Sequence, residues 1–379
     1  MNLYILDKEY SLLGEIETYL SFLWTRRYYE HGVFELHCKA EYFQMLNEGK
    51  YLYRNDREEI AIIQAVHYKD TESGTEAYCT GTLGESMLDY RVIDKPVLKY
   101  DTPEMISREI VQTYICEPAT ADRTIPNVSL GDLSDLGTKV QKQVTGDPVG
   151  QACYEIEKTQ EMSHRLRYDF QTNNLYFEVW QGKDRRESQT ENSWAIFSNE
   201  FRNVKTVDYC RNATDYANVA YVAGEGEGED RKIVVVDIRK SDEEERREIY
   251  VDARDLQNAI EDKTPFDDET GTLSLDPVYQ YTDEEYEELL TQRGLEKLAR
   301  YSLIENMAGS LLSTDNLVYL KDFDLGDYCT FKNEDIGMEI DARITEIIEI
   351  YEGTNMTLSV TFGQDAVTSI RKLIKQEVN

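Results

Sequence analysis

The sequence predicts a multi-domain α+β fold in which short antiparallel strands outnumber helices. Three observations carry that expectation. Short β-like runs at close spacing occupy both ends of the chain, and such runs favour a barrel or sandwich over a parallel sheet. Helical periodicity is confined to a middle window and to one long segment after residue 282. The chain has 379 residues, more than one compact core holds, which points to two to four domains.

In chain order, Leu3 to Leu6, Val33 to Cys38, Tyr51 to Tyr53, Ile60 to His67 and Ala77 to Thr82 read as strands. A polar turn at 70–74 joins the last two, and Ser86 to Ile93 reads as a helical turn that closes the first β unit. Thr102 is placed to cap a helix with Pro103 at its first position. Met105, Ile106, Ile110, Val111, Tyr114 and Ile115 then make one apolar face. Residues 122–145 are polar and irregular. A second helix starts near Pro148, burying Val149, Ala152, Cys153 and Ile156, and a hairpin follows over Leu166 to Phe170 and Leu175 to Trp180. Its turn contains asparagines, which tolerate left-handed backbone. Helices followed by a hairpin define a small α/β domain, bounded by the charged loop 181–191.

Strands resume at Ala195 to Ser198 and Val204 to Arg211. The stretch from Asn218 to Ile238 is the organising element: an apolar run (Val219 to Ala223), a tip in which Gly224, Gly226 and Gly228 alternate with glutamates, and a returning run Ile233 to Val236. It reads as a hairpin with a long tip, and the strands at the end of the chain are expected to pair with it. Residues 241–248 form a solvated excursion, and Ile249 to Val251 a short strand. Thr282 and Glu285 fit a capping box, followed by a buried stripe through Tyr286, Leu289, Leu290, Leu295, Leu298 and Leu303. Gly294 within it is expected to mark a break or kink. Val318 to Leu320, Tyr328 to Phe331, Ala342 to Tyr351 and Met356 to Phe362 are the closing strands. Val367, Ile370, Leu373 and Ile374 suggest a short terminal helix with a docking face.

Composition narrows the function classes. The net charge is −33, from 74 acidic and 41 basic residues. Such a surface repels phosphate and anionic lipid, so stable nucleic-acid binding is not expected. No run approaches the roughly 20 apolar residues of a membrane-spanning helix, and the amino terminus lacks a basic region followed by an apolar one. The six cysteines, at 38, 79, 116, 153, 210 and 329, include no CxxC pair and read as reduced thiols of a protein made in a cytoplasm. The 27 tyrosines suit strands and wet interfaces.

No motif carries chemistry. The alternating tip of Gly224 to Gly228 leads into a strand and carries glutamates, whereas a phosphate cradle leads into a helix N-terminus. His31, His37, His67 and His164 fit no metal-ligand spacing. His37 and Cys38 are adjacent in a strand and point to opposite faces, which disfavours a thiolate–imidazole pair. Asp283, Glu284, Glu285, Glu287 and Glu288 are the wet side and charged start of a helix. Asp267, Asp268 and Glu269 lack the alternation of a calcium loop. No catalytic, cofactor-binding or metal residues are assigned, and no cofactor is expected.

Several segments together resemble the baseplate hub proteins of bacteriophage and prophage tails, including the amino-terminal structural region of tail-associated lysins. They are Gly32 to Leu36, Gly81 through Ile93, Asn218 to Arg231 with its Tyr221-Val222-Ala223-Gly224-Glu225-Gly226-Glu227-Gly228 core, Gly294 to Ala299, Leu325 to Tyr328, Ala342 to Ile347, and Val360 to Gly363. They follow in the expected order over nearly the whole chain. The resemblance implies two β-barrel-like domains, 1–97 and 199–240 with 317–366. It also implies an α/β domain at 98–198, a helical insertion at 241–316 and a terminal helix at 367–379. The role it implies is a structural hub at the distal end of a tail, not an enzyme. The hub would be a homotrimer whose six like domains match a sixfold tube to a threefold tip, bound to tail-tube, distal-tail and tip proteins, letting DNA through. Because the chain stops at Asn379, the lytic module of many relatives is not expected. Made in the bacterial cytoplasm, the protein would be incorporated into the virion tail. The alternatives are a cell-wall-degrading tail enzyme (peptidase or glycosidase) and a carbohydrate- or receptor-binding tail protein.

Overall fold

The computed structural model describes residues 1–71, 74–228, 231–261, 278–311, 317–353 and 355–363. The expected terminal helix at 367–379 and the acidic loop 267–269 lie outside them. Strand is the commonest regular structure among the described residues. The α-helices among the described residues are α1 (Phe43–Glu48), α2 (Pro103–Val111), α3 (Val149–Lys158) and α4 (Asp283–Arg300).

One 13-stranded sheet joins the two ends of the chain. From one edge to the other it runs Leu12–Ile16, Leu3–Leu6, Tyr51–Arg54, Ile60–Thr71, Gly74–Leu83, Val33–Lys39, Tyr19–Arg27, Met338–Glu352, Asn355–Gly363, Ile304–Leu311 and Asp208–Asn212. Tyr328–Asn333 branches off the first part of Met338–Glu352 and carries Ile196–Ser198 in parallel. The long Met338–Glu352 strand has a register shift between Ile344 and Glu346. Before the shift it pairs with Tyr328–Asn333; beyond it, with Asn355–Gly363 on one side and Tyr19–Arg27 on the other. A bulge bends a strand and sharpens its twist, which lets one strand serve two neighbourhoods.

This arrangement corrects two expectations. No barrel closes among the described residues: the early and late strands merge into one open path with a free edge at each end. The glycine-tipped hairpin does not pair with the closing strands either. Val219–Ala223 lies between Ile233–Asp237 (antiparallel) and Glu248–Asp252 (parallel) in its own three-stranded sheet. Asp208–Asn212 and Ile304–Leu311 are the central strands that reach the closing pair.

The local signals hold where they are local. Thr102 Oγ1 accepts from Met105 N–H at 3.3 Å, with Pro103 opening α2. Thr282 and Glu285 close a capping box on α4 through bonds of 3.2 and 2.8 Å. Asn173 turns the Ser163–Asp169/Asn174–Trp180 hairpin at φ 56°. Gly294 does not break α4. A Cβ there would stand 2.6 Å from Val236 Cγ2 and 2.9 Å from Val222 Cγ2, so this glycine lets the helix lie close on the hairpin. Strands not anticipated are Leu12–Ile16, Tyr19–Arg27, Val97–Asp101, Val128–Leu130, Val140–Val144, Ala259–Glu261, Val278–Gln280 and Ile304–Leu311, whereas Val318 to Leu320 forms no strand.

Apolar burial falls into four clusters. One lies among α2, α3 and the Ser163–Trp180 hairpin, one under the early strands around Phe22, Trp24 and Leu36, one under the late strands around Phe197, Phe331 and Phe362, and one between α4 and the glycine-tipped sheet.

Candidate functional site

Where the early and late strands meet, the sheet buries charge. Arg54 ends its strand with a fully buried side chain, and the fully buried carboxylate of Glu349 sits 3.0 Å from it. Arg57 grips the same carboxylate with two bonds of 3.1 and 2.8 Å. The hydroxyls of Tyr319 and Tyr351 donate to it at 3.0 and 2.6 Å. Asp56 holds Arg54 from the other side at 3.1 and 3.0 Å, and the Arg54 guanidinium lies 5.3 to 5.6 Å from the ring centres of Phe22, Trp24 and Tyr351. Beside this knot, Arg26 bonds Glu59 and Asp324 at 2.6 Å each, and Arg27 bonds Glu346 at 2.7 Å. Each of these chains of contacts ties residues before 60 to residues after 318.

Burial pushes the Glu349 carboxyl up, but the guanidiniums of Arg54 and Arg57 outweigh it and hold the group below the usual carboxylate range. Arg54 moves the other way: burial lowers its pKa, and Glu349, Asp56 and Tyr351 together more than restore it. A buried ion pair is weak evidence of net stabilisation, but a buried charge left alone is costly, so the knot fixes which strands adjoin. Arg54 Nη1 is buried there with no hydrogen-bond partner. The knot's carboxylates are occupied by arginines and tyrosines, so the arrangement positions strands and offers no free acid or base.

A second polar seam fixes α4 to the α/β region. Lys142 and Glu296 form a buried pair at 2.7 Å, extended by Gln292 to Glu296 at 3.1 Å. Glu157 and His164 form another buried pair at 2.7 Å, with the Tyr154 ring 3.8 Å from the imidazole centre. Near them the Glu85 carboxyl is raised to about 7 by burial.

The residues weighed in the sequence scatter. His37 and His67 stack on opposite sides of the Tyr78 ring, at 4.9 and 4.4 Å, across three adjacent strands. His31 lies in the connection before Val33–Lys39. Cys38 is buried while His37 bonds Glu35 at 2.7 Å, so the two side chains take opposite faces. Cys38, Cys79, Cys153 and Cys329 are buried thiols. Glu285 caps α4, whereas Asp283 and Glu287 face Lys232. Glu284, Glu287 and Glu288 line a cleft of about 490 Å³ with Tyr100 and Lys139. Among the described residues no group of His, Cys, Asp or Glu is placed to hold a metal ion, and none of their helices is long and apolar enough to cross a membrane. The tip glycines take positive φ at Gly226 and Gly228, as a turn requires.

The junction was not legible as a site from sequence. Its one signal is a charge set inside a short isoleucine run, Glu349 among Ile347, Ile348 and Ile350.

A sheet that joins distant ends of its chain through buried charge, with open edges, defines a structural scaffold. Residues 2–364 match the family described as Siphovirus ReqiPepy6 Gp37-like protein, and the chain belongs to that family. Solved structures agree on the fold. Prophage tail protein gp18 from Listeria monocytogenes EGD-e superposes with a TM-score of 0.57 at 13% identity, covering 99% of both chains. The tail protein from Neisseria meningitidis MC58 gives 0.55 at 10% identity, covering 97% of both. The 43 kDa tail protein of prophage MuSo2 from Shewanella oneidensis gives 0.54 at 10%, covering 96% of this chain and 98% of its own. No curated protein matches by sequence. The chain is thus a member of a siphovirus protein family that shares its fold with prophage tail proteins.

Proposed function

We propose that the chain is the hub at the distal end of the tail, a homotrimeric ring that joins the tube to the tip and lets DNA through. The observation that carries this reading is the pair of free edges on the large sheet. Leu12–Ile16 closes one end and Asp208–Asn212 the other, and Leu12 and Leu13 are 55% and 40% exposed. Unpaired strand edges are templates for another chain, and two different edges on one molecule allow head-to-tail contacts that close into a ring. Tail-tube, distal-tail and tip proteins are the neighbours in this reading. The acidic excess would face the lumen and keep the genome from adhering. Division of the chain into two β-rich lobes, a mixed module and an insertion belongs to the same reading, and the four buried clusters support it.

The test is mass and shape together: sedimentation and electron microscopy of the purified chain and of isolated tails. A particle of three times 44.1 kDa with a threefold ring is expected, and Leu13→Lys, which places a charge at the free edge, should leave monomers. A sixfold or absent ring at the tail end refutes the reading, as does a trimer that Leu13→Lys leaves untouched.

A further inference from the structure

We propose that the cleft between α4 and the antiparallel pair Val97–Asp101/Val140–Val144 binds an organic cation, an alkyl chain ending in an ammonium or guanidinium group. This rests on features separate from the large sheet and does not depend on the ring.

The cleft has a volume of about 490 Å³. Gln141 and Tyr100 stand directly opposite each other in the strand pair, so their side chains share one face. Both line the cleft, and α4 supplies the other wall through Glu284, Glu287 and Glu288. Tyr100 is 58% exposed, whereas Gln141, on the floor, is only 8% exposed.

The groups left unsatisfied here call for a donor. The strand neighbours Lys142 and Gln143 reach Glu296 and the Asp255 carbonyl at 2.7 and 3.2 Å. No described residue bonds the Gln141 amide, although a buried polar group without a partner is costly. Glu284 and Glu288 likewise have no hydrogen bond or ion pair among the described residues. They lie four positions apart on one helix face, where like charges repel. The helix dipole favours negative charge in the first turn, which accounts for Glu284 but not for Glu287 or Glu288.

The cations nearby are committed within the fold. Lys139, the one cation on the lining, is held by Asp101 at 3.5 Å. Arg293 is held by Asp255 at 2.8 Å and Lys142 by Glu296 at 2.7 Å. Lys232 reaches Glu287 at 3.0 Å from outside the cleft and shares itself with Asp283. The wall of α4 therefore keeps an uncompensated negative charge, and an anion would be repelled from it. Among the described residues no group of His, Cys, Asp or Glu is placed to hold a metal ion, so the compensating charge belongs to a larger, carbon-borne cation. Tyr100 suits the alkyl chain and its charged end: the fold already sets one alkylammonium against that ring, with Lys139 Nζ 5.9 Å from its centre.

The test titrates the full chain with the diamine cadaverine, with N-acetyl-arginine methylamide, and with pentanediol as the uncharged counterpart of the diamine, read by ligand-detected NMR. Both cations should bind and the diol should not. Glu284→Gln with Glu288→Gln should weaken both cations by about tenfold. Tyr100→Leu, which leaves the charge unchanged, should weaken them by about threefold. Glu200→Gln with Glu334→Gln removes the same charge from exposed positions on other elements and should change nothing. Tighter binding of the diamine supports a free amine as the source of the cation, and tighter binding of the arginine derivative supports a side chain of a partner protein. Absence of binding, a diol that binds as tightly as the diamine, equal weakening by the two glutamate pairs, or undiminished affinity in a folded Tyr100→Leu chain would each overturn the proposal.

Discussion

Replacing Glu349 by alanine removes the carboxylate on which the junction between early and late strands converges. The substitution deletes an ion pair to Arg54 at 3.0 Å, two bonds from Arg57, and bonds from the hydroxyls of Tyr319 and Tyr351. Breaking a buried pair by removing one partner costs about 3–5 kcal/mol. Arg54 keeps Asp56, the Tyr351 hydroxyl and three aromatic neighbours, which places the expected loss near the lower bound, about 3 kcal/mol. A chain with several cores does not unfold in one step, so a global midpoint is the wrong readout. Native-state hydrogen exchange over Tyr19–Arg27 and Met338–Glu352 reports opening of these strands directly. At about 1.4 kcal/mol per tenfold, exchange there should accelerate by roughly a hundredfold. The Ser163–Asp169/Asn174–Trp180 hairpin, which lies elsewhere, should be unaffected. The double variant Arg54→Met with Glu349→Leu removes both charges and should recover much of the loss. A single variant that opens no faster than wild type refutes the reasoning, and so does a double variant that opens faster than the single one.

Two further expectations follow from buried groups. Glu85 has its pKa raised to about 7 by burial, from an ordinary value near 4.5. Between these values the folded chain keeps a proton that the unfolded chain has lost. Stability therefore falls as pH rises through that window, by at most about 3 kcal/mol. Glu85→Gln should be progressively more stable than wild type from pH 5 to 8 by native-state hydrogen exchange over Gly74–Leu83, corrected for intrinsic rates at each pH; parallel profiles would contradict this. Gly294→Val places carbon against Val236 and Val222. Overpacking of this kind costs about 1–3 kcal/mol, so exchange over Val219–Ala223 should rise, and unchanged exchange would show that the close approach is not needed.

What the sequence disclosed follows from how far each signal reaches. Thr102-Pro103, Thr282 with Glu285, and Asn173 act on their own turn, and each does what its chemistry predicts. Tyr19–Arg27 escaped because one of its two partners lies at the other end of the chain and its Tyr-Leu-Ser-Phe-Leu-Trp run has no clean alternation. Val140–Val144 reads as polar because Gln141, Lys142 and Gln143 are buried, and Glu296, which makes that tolerable for Lys142, is on α4. Gly294 misled for a related reason: helix propensity is local, whereas its neighbours Val222 and Val236 belong to another element. The merging of early and late strands into one open sheet depends on a register shift inside Met338–Glu352 that no periodicity encodes.

The pairing of Tyr19–Arg27 with Met338–Glu352 also sets a timetable. Arg27 meets Glu346 across 319 positions of chain. At ribosomal speeds of about 5–20 residues per second, the early strand waits roughly 15–60 s for its neighbour. Throughout translation the nascent protein carries a bare aromatic rim, and any product truncated before residue 338 keeps it permanently. Completion of synthesis is thus built into the geometry as a condition for a well-behaved subunit, and prematurely terminated chains are the ones expected to clump or be degraded.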